Sequence, residues 1–368
     1  MNKRKLSLDI SKAIAMVFIV IGHVLQRTTP NYTSNWISSL MLAIGIPIFF
    51  FISGITCSYR QPLGVKGFFY DVIKRALMYM WPVVFFLLLR VGFYKQWETF
   101  EKAFSDFIDY PGWGLWVLWV LVWINLFIDI GLFIGKLYPK LAKLFASITL
   151  VIAFIIFICL KEGGTIPNYH FIGYDYFVIY TPIFFVGYLI GDLVFSKYNK
   201  WVSVGLLCGG LIATVCICIF VTPFYSSGYH IEEHLYIFYT VSLCAIVFYY
   251  GLSTLLEKVK IGKLIGFLGQ FSLESYFLHL VLIKYWKPFN PGNIWLTILV
   301  SVGLVLLCMV NTFGVVFILY FIPFGHFLMF GRHWSFYKFE NRIFDGLRDF
   351  CLDRNKNENR DNIKNISA

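Results

Sequence analysis

The runs Leu144 to Leu160 and Trp295 to Ile322 contain no charged residue over 17 and 28 positions. A bilayer's hydrocarbon core takes about 20 residues of helix, so apolar runs of about 18 or more read as membrane spans rather than core helices. Hydrophobic residues make up 59% of the 368 positions and charged residues 14%. A soluble domain carries about a quarter charged residues, so too little charge is present to cover a water-facing surface of this size. Long alternating segments are absent, which argues against a barrel. The expected fold is an all-α integral membrane bundle of about ten helices.

Hydropathy places the spans near 9–28, 38–58, 76–94, 113–134, 144–161, 176–194, 201–222, 235–255, 264–284 and 295–322. The basic N-terminus and the apolar stretch after it resemble a secretory signal. Asp9 and Lys12 at the head of that stretch, with no small-x-small site after it, make it an uncleaved first span. Placing both termini in the cytoplasm puts 24 of the 31 Lys and Arg residues on the inner side, as the positive-inside rule requires. The net charge of +11 is then a topology signal facing anionic lipid, not a nucleic-acid footprint. The expected organisation is a membrane domain over 1–330 and a polar cytoplasmic tail over 331–368 whose end is disordered. Ile-, Lys-, Asn- and Phe-rich usage fits an AT-rich genome and the bacterial cytoplasmic membrane.

Ionisable residues inside spans are costly, so each is a functional hypothesis. Span one carries Asp9, Lys12 and His23 along one face, with Lys12 and His23 eleven residues apart, or about 16 Å along the axis. Span nine carries Gln270, Glu274, Ser275, Tyr276 and His279. Gln270 with Glu274, and Ser275 with His279, have the i, i+4 spacing of a shared face. Arg90 on span three lies at a depth similar to the two histidines; snorkelling to headgroups is its bland reading. Asp129 and Asp192 read as interfacial. His230 and His234 have metal-ligand spacing but no further ligand, and the cysteines within spans read as small apolar residues, so no metal is expected.

Four segments together resemble the membrane acyltransferase-3 family, whose members acylate cell-surface polysaccharides and related glycans. They are Leu8-Asp9-Ile10-Ser11-Lys12 through His23, Ile46-Pro47-Ile48-Phe49-Phe50-Phe51-Ile52-Ser53-Gly54, Leu115-Trp116-Val117-Leu118 and Ser272-Leu273-Glu274-Ser275-Tyr276-Phe277-Leu278-His279. Lys12 stands where the family usually has Arg, which keeps the charge and loses the planar fork. The resemblance implies an acyl-CoA donor, most often acetyl-CoA, and a hydroxyl of a cell-surface or exported glycan as acceptor. Membrane lipid and polysaccharide-synthesis proteins are the implied partners. Arg60, Lys74 and Arg75, in the loop 59–75, are expected to hold the CoA phosphates, although positive-inside topology alone would also place them there. His23, His279, Lys12 and Asp9 are the expected catalytic set, with His23 as general base or as an acyl-histidine relay. Arg90, Glu274, Ser275, Tyr276, Ser53 and Trp116 are the expected acceptor contacts. A multi-pass transporter or flippase for a glycan or small solute is the alternative. It calls for paired broken helices in two related halves, and no such symmetry is visible. An inactive membrane scaffold is a further rival, raised by Lys12.

Overall fold

The computed structural model describes residues 5–28, 36–92, 99–109, 115–162, 171–194, 200–226, 235–283, 286–289, 294–322 and 325–330. The side chains of Arg90 and Asp192, the residues His170, His230 and His234, and the tail 331–368 lie outside the described residues. Among the described residues the chain is all-helical. In chain order come α1 (Leu6–Thr28), α2 (Trp36–Cys57), α3 (Val65–Gly92), α4 (Phe100–Asp109), α5 (Trp116–Ile134), α6 (Ala142–Glu162) and α7 (Tyr174–Val194). There follow α8 (Lys200–Ser226), α9 (Leu235–Leu256), α10 (Lys260–Gly269), α11 (Ser272–Leu282), α12 (Ile294–Phe321) and α13 (Gly325–Phe330).

Seven of these helices, α1, α3, α5, α6, α7, α9 and α12, are long and apolar enough to cross a membrane, and the bent pair α10–α11 makes an eighth. The chain is a multi-pass integral membrane protein. Ten spans were expected. The two not counted are α2 and α8, where the apolar stretches among the described residues are Ala43–Cys57 and Trp201–Ile217.

Three expectations need correction. The loop 59–75 is mostly helix, because α3 begins at Val65 and takes in Lys66, Lys74 and Arg75. An Asp71–Arg75 ion pair at i, i+4 supports that early start. The connection between the expected spans 76–94 and 113–134 is not all loop: it contains α4, an amphipathic helix whose Ala103 and Phe107 are buried. Span nine is not straight: α10 and α11 meet at 69° across Gln270 and Phe271. The expected shared face of Gln270 and Glu274 is therefore lost; Gln270 is exposed and Glu274 is buried.

Helix α1 sits at the centre, packed against α2, α9, α10, α11 and α12. Polar and apolar positions of its first turns, Ser7, Leu8, Asp9, Ile10 and Ser11, are all buried. Peripheral helices show the reverse pattern, with Leu299, Leu306 and Val310 on α12 and Ile152 and Ile155 on α6 exposed. Such apolar faces would be unstable in water; here they face lipid. Membrane helices gain little from apolar burial against each other, so close backbone packing at small residues matters more. Helices α2 and α7 cross in this way: a Cβ on Gly54 would collide with the Phe184 carbonyl, and one on Gly187 with the Phe51 carbonyl. The Phe-Phe-x-x-Ser-Gly segment thus places a helix crossing. Gly54→Leu is expected to force the pair apart and cost roughly 1–3 kcal/mol or more, the range for overpacked cores. A thermal unfolding midpoint of the detergent-purified variant equal to that of the parent would contradict so tight a crossing.

Candidate active site

His23 lies near the C-terminal end of α1 and His279 on α11. Their ring centroids are 5.4 Å apart with planes tilted by 35°. The break before α11 contributes to this meeting. Gly269, the last residue of α10, lies so close to α1 that a Cβ there would strike the Asp9 carbonyl. The chain then bends and α11 carries Ser275, Tyr276 and His279 into the interior, where all three are buried.

The hydrogen bonds fix what each imidazole can do. His279 Nδ1 lies 3.0 Å from the Ser275 carbonyl oxygen. A carbonyl only accepts, so Nδ1–H donates and Nε2 keeps its lone pair. His23 Nδ1 lies 2.9 Å from Gln26 Oε1 and donates to it, leaving Nε2 as the base there too. Both Nε2 atoms and the Ser275 hydroxyl are buried without a hydrogen-bond partner. Buried polar atoms are nearly always paired, so three unpartnered ones at one place mark a site that receives a ligand. His279 has no exposure, whereas His23 is half-buried, so His23 is the ring a substrate reaches first.

Aromatic side chains line the neighbouring space. Tyr276 meets His279 edge-on, with centroids 5.7 Å apart. Trp116 at the start of α5 stacks on Tyr176 at 4.0 Å and on Tyr180 at 4.9 Å, and Phe50 stacks on Tyr180 at 4.8 Å. Tyr276 is within electrostatic reach of Tyr176 and Tyr180, which joins this wall to the imidazoles. Tyr176 and Tyr180 were not among the expected residues. In a chain with 23 tyrosines and 40 phenylalanines, no sequence signal singles them out.

A second polar centre sits at the other end of the bundle. Gly45 of α2 lies against Ile19 and Ala15 of α1, so the antiparallel α2 carries Arg60, just past its end, to the level where α1 begins. Arg60 donates to Asp129 Oδ1 at 2.9 Å and also to Asn125 Oδ1. Arg75 Nε lies 3.3 Å from Asp129 Oδ2, and its NH1 and NH2 donate to Asn125 Oδ1 and Asp71 Oδ2, each at 3.2 Å. Asp129, read from sequence as interfacial, is fully buried instead. The reason is that α3 packs on α5 and brings Arg75 onto it, while the segment after α2 brings Arg60. Burial opposes the Arg60 charge, but Cys57 and Asp129 outweigh it and hold the pKa above the ordinary arginine value.

A family model described as an acyltransferase domain, acyltransferase 3, matches residues 5–321. The chain belongs to the acyltransferase-3 family. Comparison with curated proteins and with solved structures gave no match. Within the family's domain the two imidazoles come together beside Tyr276, Ser275 and Glu274 are buried on the same helix as His279, and Trp116 stands in the aromatic wall. Lys12 and Asp9 pair with each other at 3.7 Å, about three turns down α1 from His23. Ser53 lies in the last turns of α2, toward Arg60. Lys74 does not join the ion cluster; it is exposed, with its ammonium 5.3 Å from the Tyr70 ring centroid. Among the described residues no group of three His, Cys, Asp or Glu converges as a metal site.

Proposed function

We propose that this acyltransferase moves an acyl group, acetyl in the simplest case, from cytoplasmic acyl-CoA to a hydroxyl of a cell-surface or exported glycan. The observation that carries this reading is the pair of facing imidazoles, each with a buried and unpartnered Nε2. Transfer of an acyl group to a hydroxyl needs a base at that oxygen and nowhere else. His23 Nε2 takes the hydroxyl proton as the oxygen attacks the thioester carbonyl. The carbon–sulfur bond then breaks, and the His23 imidazolium returns the proton to the departing thiolate. His279, held in one tautomer by the Ser275 carbonyl, accepts through Nε2 from a neighbouring hydroxyl of the acceptor. Two imidazoles at this distance do not both carry charge readily, so the pair handles one proton at a time.

The aromatic wall suits a sugar. Pyranose C–H faces pack on aromatic rings, and the phenols of Tyr176 and Tyr276 are of the type that orients hydroxyls. The basic end of the bundle faces the cytoplasm in this reading, in line with the distribution of Lys and Arg. The donor enters beside Arg60, Lys74 and Arg75. Its thioester travels up the α1 face past Lys12 to His23, and the bacterial cytoplasmic membrane is the location. Ser53, Arg90 and Glu274 are assigned to the walls of this route. A transporter remains the second reading, favoured by the broken α10–α11 helix, since broken helices often bind transported solutes.

Membranes containing the protein, incubated with acyl-labelled acetyl-CoA, should transfer label to surface glycan. Uptake or release of glycan without any label transfer would overturn the acyltransferase reading in favour of transport.

A further inference from the structure

The ion cluster at the Arg60 end is balanced in an uneven way. Two guanidiniums face two carboxylates, but the partners differ in how firmly they are held. Asp129 is fully buried and Asn125 nearly so. Asn125 is tied further, its Nδ2 donating to the Leu121 carbonyl at 2.6 Å. Arg60 is enclosed by a pinned loop: the Leu63 N–H donates to the Leu132 carbonyl at 3.2 Å, and the Tyr59 hydroxyl to the Gly191 carbonyl at 2.8 Å. Asp71 differs from all of these. It sits one helical turn before Arg75 on α3, its side chain 26% exposed, and its carboxylate reaches only the outermost nitrogen of Arg75.

Arg75 NH1 donates to Asn125 and NH2 to Asp71, while Nε meets Asp129 Oδ2 at 3.3 Å as an ion pair without a hydrogen bond. A ligand anion gains a full guanidinium edge only by taking one of these places. Removing Asp129 or Asn125 would strand buried charge. Removing Asp71 only returns a surface carboxylate to water, and pairs of that kind are weak.

We propose that Asp71 is an internal carboxylate occupying the place on Arg75 that a phosphate group takes, and that the phosphate displaces it on binding. The inference rests on the acyl-CoA reading for the source of the phosphate. Asp129 serves as a positioning residue, holding Arg60 and Arg75 side by side so that displacement of Asp71 leaves one uncompensated positive charge at the mouth. With Asp71 in place the cluster is neutral and repels nothing. With Asp71 swung out it attracts a phosphate, and loss of the phosphate restores the closed pair. The same chemistry would accept the phosphate of an anionic lipid headgroup, so the two sources need separate measurement.

The test is titration of free CoA into the full chain in phosphatidylcholine nanodiscs. Asp71→Asn is expected to tighten CoA binding about three- to tenfold, the scale of one partly screened charge contact. Asp71→Asn combined with Arg75→Gln should lose that gain. Equal or weaker CoA binding by Asp71→Asn overturns the inference while leaving the donor reading intact. Should neither form bind CoA, the donor reading falls instead. Capture of phosphatidylglycerol over phosphatidylcholine from mixed vesicles then decides: greater capture by Asp71→Asn carries the proposal as a lipid-phosphate site, and equal capture overturns it.

Discussion

His23→Ala is expected to lower acyl transfer by at least about a hundredfold, the lower end of what a positioned general base contributes. The amount of protein in the membrane should not change. The imidazole is half-buried, with Nδ1 on Gln26 and Nε2 free, so its removal opens space without stranding a charge. Labelled acyl transfer and a membrane immunoblot, measured on the same preparation, separate the two effects. Activity within a few fold of the parent would move the base to His279. His23→Gln sharpens the comparison, because it keeps a polar side chain of similar reach but cannot take a proton at neutral pH.

Asp129→Ala is expected to act on stability instead. The carboxylate is the shared partner of Arg60 and Arg75. Taking it away leaves two guanidiniums crowded together against an apolar interior. Breaking a buried pair on one side typically costs about 3–5 kcal/mol. The detergent-purified variant should therefore show a markedly lower unfolding midpoint. Replacing Arg60 and Arg75 with Met in the same chain should recover much of the loss, since apolar replacement of a whole buried ion group is often close to neutral. An Asp129→Ala midpoint equal to the parent's would show that water reaches the cluster and screens it.

The sequence made some of this legible. The lengths of the apolar runs were enough for a helical membrane bundle, because the bilayer leaves no other way to satisfy backbone groups along an uncharged run. The two histidines could be paired from depth alone, and the structure brings their rings together. Asp129 was misread because a position five residues from the end of the expected span 113–134 looked like an interface. Asn125 one turn earlier, in a span of mean hydropathy 2.3, was the signal for a buried polar face. Its partners could not be read, since Arg60 reaches it only through the packing of elements distant in sequence. The bend at Gln270–Phe271 was also hidden. It carries no proline, and it sits beside the close approach of Gly269 to α1, a contact across roughly 260 positions. The aromatic wall was invisible for a different reason: its members are common residues made special only by stacking.

The central place of α1 has a consequence for how the protein is made. Helix α1 leaves the ribosome before the other described helices and carries Asp9, Lys12 and His23, yet the helices that enclose it include α9 to α12, which follow far along the chain. At about 5–20 residues per second of synthesis, His279 follows His23 by roughly 10–50 s. Through that interval α1 sits in the bilayer with polar groups that its final neighbours have not yet covered, a state in which insertion factors or earlier helices must shelter it.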